Sequence, residues 1–343
     1  MSNRTEISTL GEFGLIRHLT EKIEIKHNST IKGIGDDAAI LSYKDKQVLV
    51  TTDLLLEGIH FDLTYVPLKH LGYKSAVVNF SDIYAMNGQP KQITISLGIS
   101  KRFSVEDLEE FYAGIKLACE VYNVDIVGGD TSASLTGLCI SITCIGEGDK
   151  ERIVLRSGAK ETDLICVSGD LGAAYMGLQL LEREKRIFKG EKDFTPDFTG
   201  KEYLLERQLK PEARKDIIQM LRNADITPTS MMDISDGLSS ELLHLSQESQ
   251  VGCRIYEDRI PIDYQTATMA EQFNMNLITA ALNGGEDYEL LFTVPLTEHD
   301  KISEIEGIKV IGHITKQEFG NFLVGRDGGE VELKAQGWNS LKQ

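Results

Sequence analysis

Residues 93–97, Ile-Thr-Ile-Ser-Leu, alternate apolar and polar side chains, and a few positions later the period changes. From Ser104 onward, Leu108, Phe111, Tyr112, Ile115, Cys119 and Tyr122 fall on one stripe at helical spacing, and Ser104 with Asp107 forms a box-like start. At 140–145, Ile-Ser-Ile-Thr-Cys-Ile, the alternation of a strand returns. A strand, a helix and a strand in this order describe a sheet with one covered face, and residues 47–52 read as a further strand of it. The polar, glycine-broken stretch 146–152 closes the unit, and Leu164-Ile-Cys-Val167 opens a new strand. A boundary is therefore expected near residue 155, with domains at 1–153 and 154–343.

Beyond it, helices are expected at 172–184, 201–209, 212–223 and 238–248, and strands at 230–234, 288–294, 308–314, 322–325 and 330–334. The charged stretch 185–200 reads as a surface excursion. Helices and strands mix in both halves, which gives an α+β (mixed α/β) two-domain protein. A chain of 343 residues with 41% apolar side chains can supply each half with a core.

Thirty-six basic residues face 53 acidic ones, a formal charge of -17 that opposes nucleic-acid backbones and anionic membranes. Such a chain binds a polyphosphate only with divalent cations between the two sets of anions. The polar start, residues 1–6, and the lack of a long apolar window lead us to expect a cytoplasmic protein. Its five cysteines sit in apolar runs without zinc spacing and read as buried free thiols.

Acids recur beside glycines and at strand ends. Asp37 follows a glycine turn in Gly33-Ile-Gly-Asp-Asp37, and Asp53 is expected to end its strand. Asp82 lies in 76–86, apolar nearly all round if helical, so its charge needs a cation or a donor. Asp130 follows the pair Gly128-Gly129 directly after a short strand, where backbone can approach a phosphate or metal. Asp233 and Asp236 flank Ser235 where a strand runs into a helix, and Gly284-Gly-Glu-Asp-Tyr-Glu-Leu290 repeats the glycine pair followed by acids. Asn79-Phe-Ser-Asp82 faintly echoes Asp233-Ile-Ser-Asp236. Plainer readings stand beside these: turn or cap roles for Asp37 and Asp53, a salt bridge or protonated acid for Asp82, an ordinary Gly-Gly turn at Asp130, an N-cap at Asp236. Taken together, oxygen-only acidic loops suit Mg²⁺ completed by substrate phosphates. The phosphate loop GxxxxGK[ST], the kinase HRD and DFG set and the GxGxxG turn are all missing, so the nucleotide needs a less common fold.

As an ordered set, Gly11-Glu-Phe-Gly14, Gly35-Asp-Asp37, Thr51-Thr-Asp53 with Glu57-Gly-Ile-His-Phe61, Asn79–Asp82, Gly128-Gly-Asp130, Arg156-Ser-Gly-Ala159, Asp233–Gly237 and Gly284–Leu290 resemble the thiamine-monophosphate kinase family. The resemblance runs from about residue 11 to Trp338. It implies the fold of aminoimidazole ribonucleotide synthetase, a homodimer built on the amino-terminal sheet, and ATP with several Mg²⁺ ions in a cleft lined largely by that domain. Carried over by motif, the metal ligands are Asp37, Thr51, Thr52, Asp53, Asp82, Asp130 and Asp233, with Asp236 on a further ion. ATP contacts fall to Tyr112, Gly129, Asp130, Arg156 and Ser235, and the thiamine moiety to His60, Glu286 and Trp338. Arg156 and Asp130 serve as charge and metal positioning groups, and the resemblance implies no acid–base dyad. Tyr112 is equally explained by the helix stripe, His60 as a core histidine, Arg156 as an interdomain salt bridge and Trp338 as packing.

Relatives with other chemistry fit less well. Selenophosphate synthetase is expected to carry a reactive Cys or selenocysteine near its start, whereas the first Cys is Cys119. A hydrogenase-maturation dehydratase is expected to end in Cys, and this chain ends Leu341-Lys-Gln343. A non-catalytic nucleotide- or metal-binding scaffold is the rival from another class, against which the complete metal motifs argue.

Overall fold

The computed structural model describes residues 18–32, 40–188 and 198–335, which form two compact units: one from the described residues up to 83 with 88–151, the other from 84–87 with the described residues from 152 on. Asp37, Trp338, the Gly11–Gly14 motif and most of the 185–200 stretch lie outside the described residues.

In the first unit, β1 (Thr30–Lys32) pairs with β2 (Ile40–Leu41). A four-stranded sheet follows, built from β3 (Gln47–Leu56), β4 (Gln89–Ile99), β5 (Asp125–Ala133) and β6 (Cys139–Gly148) in the order β3-β6-β4-β5. Only β4 and β5 run parallel. The alternation of β4 and β6 sends Ile93, Ile95, Leu97, Ile140, Ile142 and Cys144 to the buried face. Helices α1 (Leu68–Ala85) and α2 (Val105–Tyr122) pack with them. In α1 every residue from Leu71 to Ser81 is buried; Ser75 Oγ and Asn79 Nδ2 donate to carbonyls one turn back, while Asn79 Oδ1 is buried with no hydrogen-bond partner among the described residues. The capping box of α2 is complete: Ser104 Oγ accepts from Asp107 N–H, and Asp107 accepts from Ser104 N–H. The two helices touch at glycines. A Cβ on Gly72 would stand 2.0 Å from Phe111 O, and one on Gly114 1.9 Å from Lys69 O, so each helix seats on the other's backbone.

The second unit holds seven further strands: β7 (Leu164–Ser168), β8 (Ser230–Asp233), β9 (Val251–Tyr256), β10 (Leu290–Val294), β11 (Ile308–Lys316), β12 (Asn321–Val324) and β13 (Glu330–Glu332). Their order is β13-β12-β9-β11-β7-β10-β8, antiparallel except between β12 and β9. Helices α3 (Ala173–Phe188), α4 (Glu202–Leu209), α5 (Lys215–Asn223), α6 (Leu238–Ser249), α7 (Tyr264–Gln272) and α8 (Leu277–Asn283) accompany the sheet, with a short α9 (His299–Ser303). One core gathers α6 residues Leu238, Leu242 and Leu245 with strand residues Ile165, Val167, Ile255 and Leu291. A second joins Met176 and Leu180 of α3 to Leu204 of α4 and Met269 of α7.

Three sequence expectations change. β3 runs on through Asp53 to Leu56, because Leu54-Leu55-Leu56 continue the ladder against β6, so Asp53 is internal to the strand. β5 likewise carries Gly128, Gly129 and Asp130 within its pairing to β4. Strand β9, which lies between β11 and β12, was not among the expected strands, although Val251, Cys253 and Ile255 alternate with Gly252 and Arg254 at strand spacing. Four of the five cysteines are buried free thiols, and Cys139 is half-buried and also free.

Candidate functional site

The first unit presents two acidic stations. On β3, Thr51 and Asp53 point to the same side, two residues apart. Asp82 enters from the last turns of α1, and its Oδ2 accepts the Thr51 hydroxyl at 2.5 Å. Asp53 is half-buried; desolvation, and then the charge of Asp82, push its pKa from 3.8 up to about 6. Strand and helix thus hold the two carboxyl groups facing one another. Thr52 is exposed, and its hydroxyl exchanges hydrogen bonds with Ile142 O and Thr143 Oγ1 at 3.1 Å each.

Asp130, the second station, stands exposed on β5. β3 and β5 are the two edge strands, and the rung Asp53–Ile142–Ile95–Gly129 joins them through β6 and β4. Gly129 cannot be replaced without displacing backbone, since a Cβ there would lie 2.0 Å from Ile95 O. Among the described residues no three His, Cys, Asp or Glu side chains converge closely enough to enclose a metal ion.

His60 is exposed rather than a core residue, and its Nδ1 accepts Leu56 N–H at 3.0 Å. That bond leaves Nε2 as the protonated nitrogen and an outward donor. Tyr112 is 7% exposed, sits edge-on to Phe111 with ring centroids 6.1 Å apart, and has its pKa pushed up to about 12 by burial. Its ring is part of the helix stripe.

In the second unit, the segment after β8 and the segment before β10 zip together beyond the strands. Ile234 N–H donates to Glu289 O at 2.8 Å, Tyr288 N–H to Ile234 O at 2.9 Å and Glu286 N–H to Ser235 O at 2.7 Å. Gly285 permits the approach: a Cβ would fall 2.2 Å from Ser235 O. The zip turns Glu286 and Tyr288 into the left-handed region, with φ of 66° and 51°. Asp233 is buried at the strand end, while Ser235 and Asp236 are exposed. Asp236 is not the N-cap of α6; Gly237 holds that position, and Asp236 N–H donates to Glu241 Oε1 at 2.9 Å. Desolvation raises the Asp236 pKa, Glu286 adds to it and His244 counters it. Glu241 is 1% exposed, and burial pushes its carboxyl up to about 8.

Beneath this surface lies an ionic cluster that the motif reading missed. Asp287 accepts the Gly172 and Ala174 amides at 2.7 and 3.2 Å, at the start of α3, and Glu289 takes Arg207 at 2.7 Å together with Arg214 and Ser168. Tyr203 donates to both oxygens of Asp170 at 2.6 Å. The signal was present in the sequence: Glu289 begins an apolar strand, where a buried acid demands a cation. Arg156 is exposed, with no ion pair among the described residues; its own carbonyl accepts from Ser249 Oγ at 3.2 Å, and the neighbouring Leu155 O takes Met231 N–H of β8 at 3.0 Å.

A family model, AIR synthase related protein, N-terminal domain, matches residues 35–147. The thiamine-monophosphate kinase of Aquifex aeolicus is 38% identical over 315 residues, 89% of this chain and 96% of its own length. The Bacillus subtilis thiamine-monophosphate kinase is 31% identical over 97% of this chain and all of its own. This chain belongs to the thiamine-monophosphate kinase family. It is accordingly a phosphotransferase. Among solved structures, AaThiL complexed with AMPPCP and TMP matches at 37% identity and a TM-score of 0.74, over 98% of this chain and 99% of that one. The hydrogenase maturation protein HypE in complex with ATP, at 18% identity and a TM-score of 0.73 over 96% of this chain and 93% of its own, shares the fold alone. Each unit carries motifs of the family resemblance: Thr51–Asp53, Asp82 and Asp130 in one, Asp233–Gly237 and Gly284–Leu290 in the other.

Proposed function

We propose that the chain transfers the γ-phosphoryl group of ATP in line to the phosphate of thiamine monophosphate, giving ADP and thiamine diphosphate, as the last step of thiamine diphosphate biosynthesis. The observation that carries the reading is the related structure in which AMPPCP and TMP are held together on a fold matching 98% of this chain. An acceptor phosphate oxygen bonds to the γ-phosphorus while the bond to the β,γ-bridging oxygen breaks, and ADP departs with that electron pair. A phosphate monoester with a second pKa near 6 is already largely dianionic at neutral pH, so the acceptor needs no general base. What opposes reaction is repulsion between two anions, and the site's task is to offset it while aligning donor and acceptor.

The donor set suits magnesium. It consists of oxygens, and a hard divalent cation would offset both the burial and the facing Asp82 charge that raise Asp53 to about 6. Asp37, Thr51, Thr52, Asp53, Asp82, Asp130, Asp233 and Asp236 would hold Mg²⁺, which when bound supplies charge neutralisation to the phosphates. Arg156, exposed and without an ion pair among the described residues, presents a fork to a phosphate. With it, Tyr112, Gly129, Asp130 and Ser235 serve ATP. His60, through its outward Nε2 donor, Glu286 and Trp338 receive the thiamine moiety, and the Trp338 ring suits its cationic thiazolium.

The amino-terminal unit is then the nucleotide, metal and dimerisation domain, and the carboxy-terminal unit completes the acceptor site. Val48, Val50 and Leu54, 48%, 66% and 53% exposed along edge strand β3, support a homodimer through that sheet. We place the enzyme in the cytoplasm; no helix among the described residues is long and apolar enough to cross a membrane. The test is incubation of purified protein with ATP, Mg²⁺ and thiamine monophosphate, following thiamine diphosphate by chromatography beside a chelator control. Product that disappears with the chelator is expected. Bound ATP with no product would overturn the reading in favour of a scaffold.

A further inference from the structure

The loop that carries Arg156 is gripped from two sides. Toward β8, Leu155 O accepts Met231 N–H at 3.0 Å, and a Cβ on Gly158, whose φ is 125°, would stand 2.4 Å from Thr229 O. The loop therefore rests on the backbone that leads into that strand, in a conformation that favours glycine. Just beyond it, Lys160 N–H donates to Asp163 Oδ2 at 2.9 Å. The other side is held by Ser249, the last residue of α6. Its Oγ accepts Gly158 N–H at 3.1 Å and Ala159 N–H at 3.2 Å, and it donates to Arg156 O at 3.2 Å.

A serine hydroxyl offers one hydrogen and two lone pairs, and all three are spent here on a single loop. The helix end makes no use of them. Its cap is Gln250, left-handed at φ 56°, whose N–H bonds to Gln247 O and Ser246 O. Ser249 is half-buried, so water can reach the loop atoms when the hydroxyl is removed, but a water molecule has no covalent tie to α6. That tie matters because α6 is a rigid reference: Leu238, Leu242 and Leu245 seat it in the core, and its first residue directly follows the Asp233–Gly237 motif. One helix thus joins the segment of Ser235 to the loop of Arg156.

We infer that Ser249 is a positioning residue for the nucleotide: by clasping the backbone of 156–159 to the end of α6, it fixes where the Arg156 guanidinium meets the ATP phosphates. The inference rests on the reading that Arg156 grips ATP. Its test is equilibrium binding of AMPPCP with Mg²⁺ to the full-length protein by calorimetry, beside steady-state kinetics. The variants are Ser249→Ala, Ser249→Thr, Arg156→Gln and the double variant Ser249→Ala with Arg156→Gln. Loss of the clasp should weaken AMPPCP binding and raise KM for ATP by about five- to tenfold. KM for thiamine monophosphate and the melting temperature should remain close to wild type, and Ser249→Thr, which keeps the hydroxyl, should bind AMPPCP as wild type does. The double variant should resemble Arg156→Gln, because the serine acts through the arginine.

If Arg156→Gln leaves AMPPCP binding unchanged, the placing of Arg156 at ATP fails and the inference falls with it. If Arg156→Gln weakens binding and Ser249→Ala does not, that placing stands and the role of Ser249 is overturned. A Ser249→Ala loss that persists in full on top of Arg156→Gln, or that strikes both substrates and the melting temperature together, would mark the clasp as structural only and also overturn it. Should Ser249→Ala not fold, Gly158→Ala displaces the same loop from the β8 side; AMPPCP binding undiminished in that variant would contradict the proposal.

Discussion

Replacing Asp53 with Asn should make the metal-free protein more stable while abolishing its activity. Burial and the facing Asp82 lift the Asp53 pKa from 3.8 to about 6. At 1.36 kcal/mol for each pH unit, that displacement of about two units is worth at most about 3 kcal/mol against the ionised folded state. Partial exposure screens the interaction, so about 1–2 kcal/mol is expected. The sign follows from the raised pKa. Above about pH 6 the wild-type carboxylate is ionised in both states and the folded state bears the full penalty. Between about pH 6 and 4 the folded chain holds a proton that the unfolded chain releases, so the penalty shrinks, and below about pH 4 it vanishes. Asn carries no such charge, so its advantage should be full at pH 7.5 and absent at pH 4. Urea unfolding in the presence of a chelator, read across this range, measures it. Excess Mg²⁺ should favour wild type, since only the carboxylate binds the ion. Equal metal-free stabilities at pH 7.5, or a gap that widens toward pH 4, would refute the reasoning.

Gly285→Ala forces a methyl group to within 2.2 Å of Ser235 O, so the zip between 234–236 and 286–288 must open; thermal melting should fall by about 1–3 kcal/mol equivalent, with a larger loss of turnover at limiting thiamine monophosphate. Glu241→Gln should match wild type in stability below about pH 4.5, where the carboxyl is protonated in the folded and the unfolded chain alike and the amide oxygen can still accept Asp236 N–H. Between about pH 4.5 and 8 the folded chain holds a proton that the unfolded chain releases, so the Gln variant should gain on wild type as the pH rises and keep a constant lead above about pH 8; parallel stability curves across that window would contradict this.

Where local chemistry decides structure, the sequence was readable. Ser104 and Asp107 announced the start of α2, and its apolar stripe is the face the helix buries. The glycine-flanked acids were visible because charge beside an apolar strand is costly wherever it lies. Strand ends were read less well: a charged Asp53 suggests termination, yet pairing with Ile142 carries β3 three residues further. β9 carries the alternation of Val251, Cys253 and Ile255, but over only six residues directly after helix α6, a run too short to stand out beside the helix it follows. Helices α7 and α8 are short, and their signals were single caps, Asp263 and Asn276. The Arg207–Glu289 and Gln208–Glu286 pairs join residues about 80 positions apart, a separation that no local pattern encodes.

The most direct test of phosphoryl transfer is to follow the label of [γ-³²P]ATP in the presence of Mg²⁺ and thiamine monophosphate. Direct transfer requires the label to appear in the terminal phosphate of thiamine diphosphate, one equivalent for each ADP formed, and to stay in ATP when the metal is chelated. Label released as inorganic phosphate, or ADP formed without thiamine diphosphate, would contradict it.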